Sequence, residues 1–303
     1  MTSDNVTLAL LVLHKGEIVS EVYSSEVTAQ TTLISWSMAK SITHALVGIA
    51  QMDGLLHVEN NNLFPEWETD DRRNITLQQL LEMRSGLSWV EDYVDGDASD
   101  VIEMLFGSGK SDIASYAIAQ PPAAAPGVEW VYSSGTTNIV TRLLGNGLGD
   151  AKGSHVNIER FMRSRLFEAI GMQAQPKFDA AGTFVGSSYV FATARDFAKF
   201  GLLYLHDGVC NGVRILPEGW VDHARKQHVF DELTGLGYGA HWWTLPGERN
   251  SLVAAGYEGQ YIMVIPDRDL VVVRLGKTVA ELRNTVVAEL RGVIEQFPVI
   301  GER

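Results

Sequence analysis

Ser37 and Lys40 stand three residues apart in Ser37-Met38-Ala39-Lys40, a spacing that puts a hydroxyl and an amine on one face of a helix. If a helix starts there, its unpaired amides carry partial positive charge able to hold a developing oxyanion. A partly desolvated lysine has a lowered pKa, so it can take the serine proton and leave an activated nucleophile. Such a pair supports acyl transfer through a serine ester. The tetrapeptide is short enough to arise by chance, and a helix-start serine beside a solvated lysine reads the same way. Other residues must decide.

Tyr132-Ser133-Ser134-Gly135 follows Pro126-Gly127 and precedes apolar Ile139, Val140, Leu143 and Leu144, the pattern of a loop entering a helix. A phenol close to an ammonium is either phenolate-like or a proton shuttle between the serine and a leaving group. Both make Ser37, Lys40 and Tyr132 a workable acid–base set. Taken singly, Tyr132 reads first as a half-buried core tyrosine. In Gly256-Tyr257-Glu258-Gly259-Gln260, small residues at a strand start let backbone amides approach a substrate, or simply turn the chain into an edge strand.

These residues need a scaffold. Two β-rich runs, 8–13 and 18–23, flank His14-Lys15-Gly16-Glu17 and predict a hairpin. Apolar residues at Met38, Ala39, Ile42, Ala45, Leu46, Ile49 and Ala50 predict a helix, with Ser35 as N-cap and Gly54 as stop. Further helices are expected over 76–83, 101–106, 158–169 and 194–205, while the prolines of 120–127 mark a loop. Cys210-Asn211-Gly212-Val213 signals a tight turn. Residues 237–244, 260–265 and 270–275 read as strands, and Val279, Leu282, Val286, Leu290, Ile294 and Phe297 step along one face of a closing helix. The expected class is α/β plus an all-α lobe. An antiparallel sheet from both termini (1–54 and 236–303) is flanked by helices, with a mostly helical domain inserted over 55–235.

The chain has 303 residues, 46% apolar and 20% charged, which fits a folded globular protein. Lys and Arg number 24 against 37 Asp and Glu, a formal charge of −13 with no basic block, so nucleic acid and anionic membrane surfaces are poor partners. One cysteine, Cys210, excludes an intramolecular disulfide and a thiolate zinc cluster. The eight histidines show no metal-ligand spacing, and neither metal nor cofactor is expected. Phe106-Gly107-Ser108-Gly109-Lys110-Ser111-Asp112 imitates a phosphate loop, but Met104 stands where its first glycine belongs. No G-x-S-x-G elbow is present. The apolar run 8–13 is too short to span a bilayer and no basic leader precedes it, which predicts a cytoplasmic protein.

In order along the chain, Ile34 to Thr43, Ile75 to Leu87, Tyr132 to Gly135, Phe191 to Tyr204 with Asn211-Gly212, and Gly256 to Pro266 resemble blocks of the serine β-lactamase and penicillin-binding-protein superfamily, whose S-x-x-K element is well known. The resemblance spans nearly the whole chain. It is strongest to class C-like serine hydrolases, and Trp36, Met83-Arg84-Ser85-Gly86-Leu87 and the Gly-x-x-Gly-Gln turn lean toward the 6-aminohexanoate-dimer hydrolase and carboxylesterase branch. It implies a β-lactamase-like fold, Ser37 as acylated nucleophile, Lys40 as its base partner and Tyr132 as proton shuttle. It also implies an oxyanion hole from the amides of Ser37 and of Tyr257 or its neighbour, with Trp36, Tyr93, Ser134 and Gly259 about the substrate.

Two departures from that pattern bear on substrate. Ser134 replaces the superfamily's asparagine, and Tyr257-Glu258-Gly259 replaces the strand triplet whose Lys or His binds a substrate carboxylate. A glutamate there would repel such a group. The expected activity is therefore hydrolysis of small-molecule esters, then amides, with nitrocefin cleaved weakly or not at all. The rivals are a β-lactamase or D-amino-acid peptidase of the same fold, and a non-catalytic penicillin-binding-like sensor, since fold does not fix function.

Overall fold

A computed structural model describes residues 5–93 and 99–301; residues 1–4, on which the leader reading partly rests, lie outside them. The expected hairpin forms from β1 (Asn5–His14) and β2 (Glu17–Tyr23), joined through Lys15 and Gly16, both at positive φ. That is the primed two-residue turn whose twist suits paired strands. β3 (Leu33–Ile34) leads into the helix Met38–Met52 and pairs with β5 (Val190–Ala192), which β4 (Ala174–Pro176) flanks on its other side. β6 (Val209–Cys210) and β7 (Val213–Arg214) form a second hairpin around Asn211 and Gly212, again both at positive φ.

The remaining strands are β8 (Val229–Asp231), β9 (Leu236–Tyr238), β10 (Trp243–Thr244), β11 (Leu252–Gly256), β12 (Gln260–Ile265) and β13 (Leu270–Thr278). With the first hairpin they make an eight-stranded sheet in the order β2-β1-β13-β12-β11-β10-β9-β8. The two chain ends meet where β1 pairs antiparallel with β13.

Alternation assigns the two faces of this sheet. Leu11, Ile262, Val264, Val271 and Val273 join a core that runs through the helices Met38–Met52 and Ala194–Leu205 into the helical region. Val12, Met263, Ile265, Leu270 and Val272 point the other way, onto Val286, Leu290 and Ile294 of the closing helix Arg283–Ile294. β12 is buried at every position because helices cover both faces.

Three local expectations are corrected. Ser35 is not the N-cap: its hydroxyl accepts from the Val190 amide at 3.1 Å and donates to the Ser188 carbonyl at 3.1 Å. Trp36 then takes φ +42°, and the helix begins at Met38 with Ser37 in the capping position. The stretch 237–244 is two strands, because His241 turns at φ +54° to donate its amide to the Leu81 carbonyl at 2.9 Å. β11, only five residues of Leu-Val-Ala-Ala-Gly, lies between them and β12.

A histidine cluster sits behind the first helix. His44 Nδ1 lies 2.8 Å from the Tyr204 hydroxyl and its Nε2 lies 3.1 Å from His223 Nδ1, with the Trp220 ring stacked at 4.6 Å. Burial holds His44 well below the ordinary imidazole pKa, lowers His223, and brings His241 down to about 3. The unfolded chain takes up protons as pH falls through about 6.5, whereas the native chain does not, so native stability is lost progressively from there downward. The expected result is a melting temperature that already falls between about pH 7 and about pH 5, above the range where carboxylates titrate. A flat melting temperature across that window would show that the buried imidazoles carry no such linkage.

Candidate active site

Ser37 reaches its position through strained backbone. Trp36 in the left-handed region is costly for a bulky residue, and it turns the following serine out of β3 onto the helix start. Among the described residues the Ser37 amide makes no backbone hydrogen bond. Gly256, at the end of β11, closes on this turn: a Cβ there would collide with the Ser35 carbonyl oxygen and lie 3.2 Å from the Ser37 nitrogen. Only glycine brings the strand end and the Tyr257 segment this close to the nucleophile's amide.

One helical turn on, Lys40 is buried, with 2% of its surface exposed. Its Nζ lies 3.0 Å from Ser37 Oγ, 3.0 Å from Ser134 Oγ and 3.1 Å from the Ser187 carbonyl oxygen. Desolvation lowers its pKa from the usual lysine value to about 8, and the Glu91 carboxylate opposes that drop. Tyr132 and Ser37 line the same cavity, and the Lys40 ammonium stands over the Tyr132 ring, 4.8 Å from its centroid. Burial pushes the Tyr132 phenol above its ordinary pKa and the Glu91 charge adds to this. Tyr132 is therefore a neutral phenol at rest.

The helix Ser134–Gly147 starts at this point, capped by Ser133, whose hydroxyl accepts from the Thr136 amide at 2.9 Å. Its first residue, Ser134, faces Glu91, a residue that sequence reasoning did not pick out. Glu91 accepts from the Ser134 amide and hydroxyl at 2.8 and 2.6 Å, from the Tyr93 hydroxyl at 2.7 Å and from Trp89 Nε1 at 2.6 Å. Gly135 makes the approach possible, since a Cβ there would collide with the Trp89 ring.

A cavity of about 330 Å3 opens over Ser37, walled by Tyr93, Trp130, Tyr132, Trp243, Tyr257 and Arg283 among others. Tyr93 stacks on Tyr257 with ring centroids 5.0 Å apart. The volume sits at the small end of ligand pockets, and its wall mixes aromatic rings with the acidic Glu91, Asp92 and Asp231 and the basic Arg283. The structure thus gathers Ser37, Lys40, Tyr132, Ser134, Tyr93 and Tyr257 at one place. Trp36 stands just behind, edge-on to Tyr257 at 5.9 Å. Gly259 faces away: a Cβ there would collide with the Arg274 guanidinium, and it is not part of the cavity wall. Glu258 accepts from Trp36 Nε1 at 2.9 Å and is likewise outside the wall. In the phosphate-loop imitation, the Ser108 amide donates to Glu103 at 2.8 Å.

A family model described as Beta-lactamase matches residues 3–291. The 6-aminohexanoate-dimer hydrolase of Paenarthrobacter ureafaciens is 24% identical over 315 aligned positions, covering 90% of this chain and 73% of that protein. Among solved structures, a Bacillus anthracis protein named for the same hydrolase superposes with a TM-score of 0.81 at 22% identity, over 97% of this chain and 81% of the other. A class C β-lactamase from Rhodobacter sphaeroides superposes at 0.69 with 16% identity, over 96% and 95%. At such identities the superpositions establish the β-lactamase-like fold.

Proposed function

We propose that this chain, which belongs to the β-lactamase family and is one of its serine hydrolases, cleaves a small-molecule amide through an ester on Ser37. The observation that carries the reading is a buried amine, held at about pKa 8, 3.0 Å from the serine hydroxyl. Neutral Lys40 takes the Ser37 proton as Oγ attacks the carbonyl carbon. The oxyanion is assigned to the Ser37 amide and the Tyr257 segment, a role that preorganised donors fill in acyl transfer. Tyr132 gives its phenolic proton to the departing nitrogen, the C–N bond breaks, and the Lys40 ammonium restores the phenol. Water then attacks the ester by the reverse proton path.

The amide preference draws on the named activity of the Paenarthrobacter relative and on the aromatic wall of the cavity. Tyr257-Glu258-Gly259 offers no Lys or His for a β-lactam carboxylate, so a β-lactam would have to place that group against Arg283 of the cavity wall instead.

The deciding experiment is intact-mass analysis after exposure to a fluorophosphonate, with turnover measured on 4-nitrophenyl butyrate, linear 6-aminohexanoate dimer and nitrocefin. We expect one adduct, on Ser37 and absent from Ser37→Ala, with ester and amide turnover well above that of nitrocefin. An unlabelled protein with no turnover would favour a binding role. Nitrocefin turnover equal to that of the ester would reverse the substrate order.

A further inference from the structure

We propose that Glu91 is a positioning residue for this reaction: it fixes the direction of the Ser134 hydroxyl so that the lone pair of neutral Lys40 is left facing Ser37. The proposal rests on the acyl-enzyme reading above and adds a residue and a role to it.

The argument is one of counting protons. Glu91 Oε2 receives Trp89 Nε1–H and the Ser134 amide, two groups that can only donate. Its Oε1 receives the Tyr93 hydroxyl and the Ser134 hydroxyl. Ser134 has a single hydroxyl proton, and Glu91 takes it at 2.6 Å. Ser134 Oγ can then only accept from Lys40, at 3.0 Å. The Ser187 carbonyl oxygen, 3.1 Å away, is an acceptor by nature. Asn138 holds that turn, receiving the Ser187 amide at 3.2 Å and donating to its hydroxyl at 3.1 Å. Both protons of the neutral amine are thus assigned, and the remaining direction, toward Ser37 Oγ at 3.0 Å, belongs to the lone pair.

A serine alone would not secure this. Its hydroxyl can rotate and donate to the amine, occupying the lone pair that Ser37 needs. The carboxylate removes that freedom. Other groups face Lys40 but do not replace Glu91: the Tyr132 ring stands over it, and His241 feels its charge but stays neutral. Tyr93, a further neighbour of the carboxylate, is a phenol held well above its usual pKa.

Glu91→Gln reverses the logic. Trp89 Nε1 and the Ser134 amide require the carboxamide oxygen on their side, which turns the amide NH2 toward Ser134 Oγ. The Ser134 proton is then displaced toward Lys40. We expect Glu91→Gln to lose about 10²-fold in kcat with KM nearly unchanged, and Ser134→Ala, which has no proton to misplace, to lose about tenfold. The double variant should match Ser134→Ala, so removing the serine rescues the glutamine enzyme. Losses that multiply in the double variant, or Glu91→Gln activity within about twofold of wild type, would overturn the proposal.

A second readout needs no turnover. The titration midpoint of Lys40, followed by 13C-lysine NMR, should fall in Glu91→Gln because the carboxylate opposes the lowering by burial; an unmoved midpoint would count against coupling. If wild-type Ser37 proves unreactive, the acyl-enzyme reading fails while this midpoint still decides whether Glu91 acts on Lys40. Should the glutamine variant not fold, Glu91→Asp keeps the charge but retracts it from Ser134. Reduced kcat with a near wild-type midpoint supports the proposal, and full kcat overturns it.

Discussion

Lys40→Ala is expected to turn over about 10³-fold more slowly than wild type, within the range for removal of a positioned general base. The wild-type kcat/KM is expected to rise with pH and level off above about 8, where burial brings the Lys40 pKa. At neutral pH about one amine in ten is unprotonated, enough to work as a base without leaving the neighbourhood of Ser37. The alanine enzyme is expected to lack that rising limb. Lys40→Arg is expected to be as slow, because a guanidinium keeps its protons and has no lone pair to offer. The alanine loss should not follow from unfolding: the native chain carries the desolvation of this amine as a cost, and alanine relieves it. A pH–rate profile of Lys40→Ala that retains both the limb and more than a tenth of the wild-type rate would remove Lys40 from the mechanism.

The parts of this site that were legible in the sequence are those whose geometry is local. Ser37 and Lys40 face one another because they are one helical turn apart, and that holds whatever else the chain does. Tyr132 and Ser134 were legible as a loop-to-helix junction, and the closing strands β12 and β13 as apolar-rich runs, the second broken by Arg274. Glu91 gave no such signal. Its role depends on Trp89 and Tyr93 beside it in sequence and on Ser134, 43 residues away, converging on one carboxylate. The same holds for Trp130 and Trp243, ordinary core tryptophans by composition that become cavity walls only once the sheet is assembled.

Misreadings arose where tertiary contacts override local preference. Ser35 has the chemistry of an N-cap but is claimed by Val190 and Ser188, more than 150 residues on. Gly259 looked like a residue opened for substrate, yet the space above it belongs to Arg274, which donates to the Glu258 and Gly259 carbonyls at 3.2 and 2.7 Å. The neighbouring Gly256 is the glycine that admits close approach at the nucleophile. Glycines three positions apart in one turn thus serve a buried cation and a catalytic backbone, and spacing alone does not separate the two.

Tyr132→Phe separates the two halves of the reaction by leaving group. The phenol shares the cavity with Ser37 and is held above its ordinary pKa by burial. A weak acid in that place donates only to a group that becomes strongly basic as its bond breaks. An amine leaving from an amide is such a group, and 4-nitrophenolate is not. Tyr132→Phe is therefore expected to slow amide hydrolysis by about 10²- to 10³-fold and hydrolysis of 4-nitrophenyl butyrate by about tenfold or less. Amide turnover read by release of free amine, alongside nitrophenolate release from the same preparation, gives the ratio directly. Phe keeps the ring beneath the Lys40 ammonium and against Trp243, whose centroid lies 5.4 Å away, so packing of the wall is retained. Equal losses on both substrates would mean that the phenol acts on Ser37 itself, orienting the nucleophile for attack, and the proton for the leaving nitrogen would then have to come from Lys40.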